Sequence, residues 1–429
     1  MKKTIILSFF LAITAGPMLF SCGGDDAETL VTPDVPDTPD TPDPPKPEPE
    51  LNNSFRLTQS QLGRVEDANL FSYRLLQKLY EAKEVDKSLL ISPLSLVYEL
   101  GMVSEGADGE TLKEITKALG FSTGDVKGIR SLCSKFVSRL SLVDSQMKFF
   151  VANGMFCNQG HQPKPDLVSI LKENYGATTA TLNFSDPSSV GSINAWCSEK
   201  TQGKIPSMVD ALDPSDVLCV MNAICFDGKW TYPFPSKNTK TMKFNLEKAG
   251  NVDVQMMEIK SIKILYGACE YFQMCELPYG DGKFCMQVIL PTDMKLDEML
   301  QAVTLEKIQY TARNMSTANE TNILLPRFTT ECSIDLSNTL QSLGVKQMFS
   351  ASAADLNGIS SDAFITEMRQ RTLLNVCEDG TDTDAMTDAR YPYSAFEYHN
   401  LLKADHPFLY IIKENTTGLC LFFGTYNGD

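Results

Sequence analysis

Between residues 126 and 140 the apolar positions Ile129, Leu132, Cys133, Phe136, Val137 and Leu140 recur at helical spacing, which predicts an amphipathic helix over Val126 to Leu140. Lys127, Arg130, Lys135 and Arg139 lie around its other side, a distribution expected of a solvated face. Ser92 followed by Pro93 marks a helix start, a hydroxyl cap and then a residue that needs no N–H. That helix is expected to run to about Glu105 and stop near Gly106, with a shorter one from Glu110 to Leu119 ending at Gly120. Val217 to Phe226 is almost wholly apolar and β-favouring, as in a strand covered on both faces. Asn222 interrupts it, and a buried amide must be hydrogen-bonded or it destabilises by roughly 1–3 kcal/mol. Phe408 to Lys413 and Leu419 to Phe423 are apolar runs around an Asn- and Gly-containing turn, which predicts a buried hairpin. These elements imply an α+β chain with sheets dominating the C-terminal half.

The segment Glu378 to Thr387 has a different pattern. On a period of two, Thr381, Thr383, Ala385 and Thr387 share one face, and Asp382, Asp384 and Met386 the other. No large aliphatic residue anchors it as a resident strand. Its parity nonetheless suits a strand that enters a sheet with small side chains inward and carboxylates outward.

Bulk properties narrow the classes. The formal charge of −16 argues against nucleic acid or an anionic membrane surface as a partner. The chain has only His161, His399 and His406. It lacks the Gly-x-Ser-x-Gly elbow, the His-Glu-x-x-His pair, a phosphate-cradling glycine loop and a dinucleotide fingerprint, so no enzyme and no cofactor is expected. The twelve cysteines include no Cys-x-x-Cys pair. Apart from Cys22 they are scattered singly, many in apolar runs, and read as buried small hydrophobes rather than as disulfides or metal ligands.

The N-terminus is organised separately. Lys2 and Lys3 precede an apolar run from Ile5 to Phe20, too short for a comfortable membrane span. Leu19-Phe20-Ser21-Cys22 resembles a bacterial lipoprotein cleavage box, which makes residues 1–21 a signal peptide and Cys22 the lipidated residue. An ordinary secretory signal is the alternative. Residues 22–50 form a tether: eight prolines fall between Pro33 and Pro49, and nine carboxylates face Lys46 alone. Such a segment stays extended and builds no core. Residues 51–429 read as one folded domain, in an exported, membrane-anchored bacterial lipoprotein, with exposure at the cell surface as one expected placement.

Several blocks resemble, in order and spacing, the serpin family of protease inhibitors. They are Asn69-Leu70-Phe71-Ser72, Ile91-Ser92-Pro93-Leu94-Ser95, Asn222 to Trp230, Glu276-Leu277-Pro278-Tyr279, Leu325-Pro326-Arg327-Phe328, Ala404 to Phe408 and Phe422-Phe423-Gly424. Glu378-Asp379-Gly380-Thr381 resembles the hinge of that family's reactive loop. The resemblance implies three β-sheets, about nine helices and an exposed C-terminal reactive loop in a monomer. It implies a hinge of Glu378, Gly380, Thr381, Thr383, Ala385 and Thr387. Ser92, Ser95 and Asn222 match the "shutter" under the main sheet and are expected to share one network. Gln370 stands where the family commonly has histidine, so that network is expected to lose any response to pH. Trp230 matches the tryptophan at the top of the sheet.

The implied activity is covalent trapping of a serine endopeptidase, with papain-like cysteine endopeptidases as a second class. The protease cleaves the loop and is dragged along as the hinge inserts into the sheet. The family register puts the reactive bond between Ser394 and Ala395, with Tyr393 or Phe396 as alternative bait. The competing reading is a non-inhibitory binding or substrate protein. The hinge discriminates between them: its inward face, Thr381, Thr383, Ala385 and Thr387, is small and neutral, as inhibition requires, and Thr383 and Asp384, where alanines are usual, are departures expected to slow insertion.

Overall fold

A computed structural model describes residues 55–82, 87–248, 250–381 and 399–429. Nine α-helices and three β-sheets are found among them. The helix Pro93–Ser104 starts where the Ser-Pro pair predicts, with the Ser92 hydroxyl accepting from the Ser95 N–H at 3.1 Å. Gly109–Ala118 and Val126–Arg139 are the other two expected helices. The predicted hairpin is Phe408–Glu414 paired antiparallel with Cys420–Tyr426. In its second strand Gly424 is required by close approach, because a Cβ there would sit 2.1 Å from the Tyr410 ring.

The Val126–Arg139 helix departs from expectation in two places. Val137 is exposed, and Arg130 is not simply solvated. Its guanidinium forms a two-pronged contact with Glu105, whose side chain is fully buried, and the Tyr175 hydroxyl donates to the same carboxylate at 2.7 Å. The ion pair closes the end of the Pro93–Ser104 helix, a role its position on the helix arc does not reveal.

The main sheet has six strands in the order Phe328–Asp335, Ile365–Cys377, Gly380–Thr381, Leu218–Lys229, Met147–Asn158, Thr178–Leu182. The Leu218–Lys229 strand is covered on both sides, as its continuous apolar run predicts. Leu218, Val220, Ile224 and Phe226 enter the large core, while Cys219, Met221, Ala223 and Cys225 enter a smaller one. By this alternation Asn222 points into the large core, towards the Pro93–Ser104 helix. The eleven cysteines after Cys22 form no disulfide among the described residues, and nine of them are buried. No helix among the described residues is long and apolar enough to cross a membrane.

Candidate functional site

The site is the seam between the two central strands of the main sheet. In its lower part Ile365–Cys377 and Leu218–Lys229 pair directly and in parallel, from Ile365 opposite Leu218 to Leu373 opposite Cys225. In its upper part they part, and Gly380–Thr381 lies between them. Gly380 and Thr381 pair antiparallel with Cys377 and Val376 on one side, and with Lys229 and Gly228 on the other. The hinge therefore begins as a two-residue wedge in a sheet that closes below it.

Sequence explains why this wedge fits. Gly380 has φ +154°, and a Cβ there would fall 2.1 Å from the Gly228 carbonyl oxygen and 2.7 Å from the Lys229 Cα. Only glycine reaches this depth. Thr381 is fully buried and its hydroxyl lies 2.7 Å from that of Tyr279. Tyr279 stacks on Trp230 with ring centroids 4.3 Å apart. The Trp230 indole N–H donates to the Cys377 carbonyl at 2.9 Å, and its backbone N–H donates to Asp379. Trp230 thus caps the point where the strands separate.

Glu378 anchors the base of the wedge. Its carboxylate accepts from Arg327 Nε at 3.0 Å and from a second Arg327 nitrogen, and from the Thr239 hydroxyl at 2.7 Å. Burial alone would push this carboxyl up. The hydrogen bonds from Arg327 and Thr239 outweigh it and hold the group below the ordinary carboxylate range.

Beneath the seam the expected single network is two separate ones. Gln370 stands opposite Asn222 across the parallel ladder. Its amide oxygen accepts from the Ser92 N–H at 2.7 Å, and its amide nitrogen donates to the Ser92 carbonyl at 3.2 Å. Asn222 instead donates to the Asn153 side-chain oxygen at 2.6 Å, and Asn153 donates to the Tyr175 carbonyl at 2.8 Å. A titratable group nonetheless stands beside Gln370. Glu99, fully buried one turn beyond Ser95 in the same helix, lies 3.5 Å from the Gln370 amide nitrogen. Burial pushes its carboxyl well above the ordinary range, and the Gln370 hydrogen bond opposes this only in part.

Sequence reading missed Glu99, Asn153, Tyr279 and Arg327 as parts of the site. Glu99 was the most visible, a lone carboxylate within the apolar run Leu94 to Val103. Thr383, Ala385, Thr387, Ser394, Ala395, Tyr393, Phe396 and Cys22 lie outside the described residues. Away from the seam, Asp216, Cys219 and Glu367 bring potential metal-binding atoms within 4.8 Å of one another. Glu367 is engaged there by Arg369, and burial pushes the Cys219 thiol well up, so the group as it stands is a poor donor set. The described histidines form no triad: His406 contacts Asp405 and the Pro291 carbonyl, and His399 lies beside Glu320.

The profile of the family described as Serpin (serine protease inhibitor) matches residues 66–428. The chain belongs to the serpin family. It is 30% identical over 370 residues to a leukocyte elastase inhibitor of Xenopus tropicalis, covering 83% of this chain and 97% of that protein. The structure of Serpin48 from the insect Tenebrio molitor superposes with a TM-score of 0.77 at 26% identity, covering 87% of this chain and 99% of that one. Human thyroxine-binding globulin, in complex with thyroxine, superposes with a TM-score of 0.78 at 21% identity over 86% of this chain and 100% of that one. The last likeness concerns the fold alone. Serpins are protease inhibitors rather than catalytic enzymes, and some members with this fold do not inhibit. The seam with its wedge is therefore the feature that bears on what this serpin does.

Proposed function

We propose that this serpin traps serine endopeptidases covalently, by cleavage of its reactive loop and insertion of the hinge into the main sheet, with papain-like cysteine endopeptidases as a second target class. The observation that carries the reading is the Gly380–Thr381 wedge, paired to both central strands above a seam that is otherwise closed. Continued insertion would exchange one parallel ladder for two antiparallel ones. Ten or so inserted residues, at ~1 kcal/mol net per ladder hydrogen bond, give a gain of order 10 kcal/mol. The small, neutral row of Thr383, Ala385 and Thr387 continues the parity of buried Thr381 and leaves that gain largely intact. A bulky or charged inward residue would cancel several kcal/mol of it. The loop offers Ser394 and Ala395 as the reactive bond, with Tyr393 or Phe396 as alternative bait. A lipid on Cys22 and the proline-rich tether hold the monomeric domain at the membrane of an exported lipoprotein.

The test compares the unfolding temperature of the intact chain with that of the chain nicked between Tyr391 and Phe396. Insertion predicts a large rise on cleavage, although a covalent bond has been lost. An ordinary domain keeps or loses stability when a loop is cut. Equal melting temperatures favour the second reading, a non-inhibitory binding or substrate protein.

A further inference from the structure

Glu99 is out of place by every measure of burial. It lies in the middle of the Pro93–Ser104 helix, all of whose side chains are buried, and it is fully buried itself. One carboxyl oxygen has a single long contact, 3.5 Å, to the Gln370 amide nitrogen. The other has no hydrogen-bond partner among the described residues, and the same is true of Ser95 Oγ and Asn222 Oδ1. Ser95 is one helical turn from Glu99, and Asn222 stands opposite Gln370 across the seam. No lysine, arginine or histidine forms an ion pair with Glu99 among the described residues.

The elements packed on this helix supply no compensating charge: the helix Gly109–Ala118 buries Thr111, Ile115 and Thr116, while its Lys113, paired with Glu110, and its Lys117 are exposed. The helix carrying Tyr73, the helix carrying Cys133, the helix ending at Tyr175 and the strand ending at Tyr426 contribute phenols and a thiol that burial keeps neutral. Tyr98, on the same helix, is neutral for the same reason. The Leu218–Lys229 strand presents Asn222 on this face. Arg130 is taken up by Glu105 at the helix end. An ionised carboxylate cannot be held in such surroundings, so with the seam closed Glu99 is a neutral acid.

The seam ties this proton to the sheet. Gln370, the side chain that bonds Glu99, is carried by one of the two strands that must part, and Asn222 by the other. Gln370 is tied to the Ser92 backbone of Glu99's own helix, so moving the Leu218–Lys229 strand and its Asn222 away opens the floor of the seam above Glu99. We infer that Glu99 sets the rate of strand insertion through its proton: the closed seam holds Glu99 neutral, and the opened seam lets it ionise. The inference rests on the insertion reading proposed above and adds its control by pH. The sign follows from the raised affinity for the proton in the closed state. Protonation favours closure at low pH. As pH climbs above the ordinary carboxyl value near ~4.3, opening becomes easier by up to about tenfold per pH unit, until the closed-state value is reached. Glu99 is thus a positioning residue for the insertion step and touches neither the protease nor the reactive bond.

The experiment anneals a synthetic peptide with the sequence of residues 381–395 into the sheet of the intact full chain, between pH 5.5 and 7.5. The rate is read from the gain in resistance to urea on gels. The wild-type chain is expected to anneal up to about a hundredfold faster at the upper pH than at the lower. Glu99→Gln keeps the shape of the neutral acid and has no proton to lose, so its rate should be slow and flat across the range. The peptide carries the same carboxylates in both experiments, so its own titration cancels. Equal pH profiles in the two proteins overturn the role of Glu99 and leave insertion standing. Failure of the peptide to anneal in either protein at any pH overturns insertion itself, and this inference with it. Should Glu99→Gln not fold, the infrared carbonyl band of a protonated carboxylic acid in the wild-type chain at neutral pH decides. Its presence supports the inference, and its absence overturns it.

Discussion

Replacing Gly380 by alanine should convert this serpin from inhibitor to substrate while leaving its core folded. The added methyl would lie 2.1 Å from the Gly228 carbonyl oxygen and 2.7 Å from the Lys229 Cα. Both obstacles are backbone atoms of a central strand, so neither can swing aside as a side-chain tip would. Relief comes only by withdrawing the wedge. Withdrawal breaks its pairing with Val376 and Cys377, its pairing with Gly228 and Lys229, and the Thr381–Tyr279 hydroxyl contact. At ~1 kcal/mol net per hydrogen bond this amounts to about 3–5 kcal/mol, a large share of the stability of an ordinary domain. The loss is confined to the top of the sheet, because the seam below pairs without the wedge. Denaturant unfolding should show the destabilisation, and far-ultraviolet circular dichroism an unchanged fold. With an elastase-like protease, gels should show cleaved chain and no covalent complex, because insertion cannot pass its first step. Gly191→Ala is the control: it lies in the helix Ser188–Lys200 with nothing within 4 Å of the added methyl, and should gain up to ~1 kcal/mol. A Gly380→Ala protein that unfolds and forms complexes like wild type would refute the wedge.

Three further outcomes are expected. Thr383→Arg should abolish the gel-stable complex while cleavage continues, since an unpaired charge would face the sheet interior on insertion; an undiminished complex would show that the parity is wrong. Cys22→Ala should move the protein from the membrane fraction to the soluble fraction without changing inhibition by the purified domain, and continued retention would exclude lipidation. Glu378, held below the ordinary carboxylate range, contributes stability that is present above its unfolded pKa and lost as pH falls through the lowered folded value. Glu378→Gln should therefore melt lower than wild type at neutral pH, and the gap should close only in acid, below about pH 4.3; a gap that persists unchanged in strong acid would rule out the ionised Glu378–Arg327 contact as its source.

Local chemistry was legible in the chain alone. The Ser92–Pro93 start, the helical spacing of Ile129 to Phe136, the apolar run through Ala223 and the terminal hairpin each depend on neighbours within a few residues, and each stands where its pattern predicts. The ordered blocks from Asn69 to Phe423 carried the family for the same reason, since every block is contiguous. The partners of the site are a different kind of fact. Arg327 and Glu378 are 51 residues apart, Asn153 and Asn222 69, Tyr279 and Thr381 102, Glu99 and Gln370 271. Each pair meets because strand register and the seat of one helix under one sheet bring the two side chains to the same place. Register is set by the fit of the whole sheet between its two cores, and a one-residue slip would turn strand side chains such as Asn153, Asn222 and Gln370 to the other face. Composition could show that Asn222 needed a partner and that Glu99 sat oddly in an apolar run. Only the tertiary structure decided that Asn222 pairs with Asn153 rather than with Ser92 and Ser95. It alone decided that a buried carboxylate no motif marked lies beneath the seam, within 3.5 Å of Gln370.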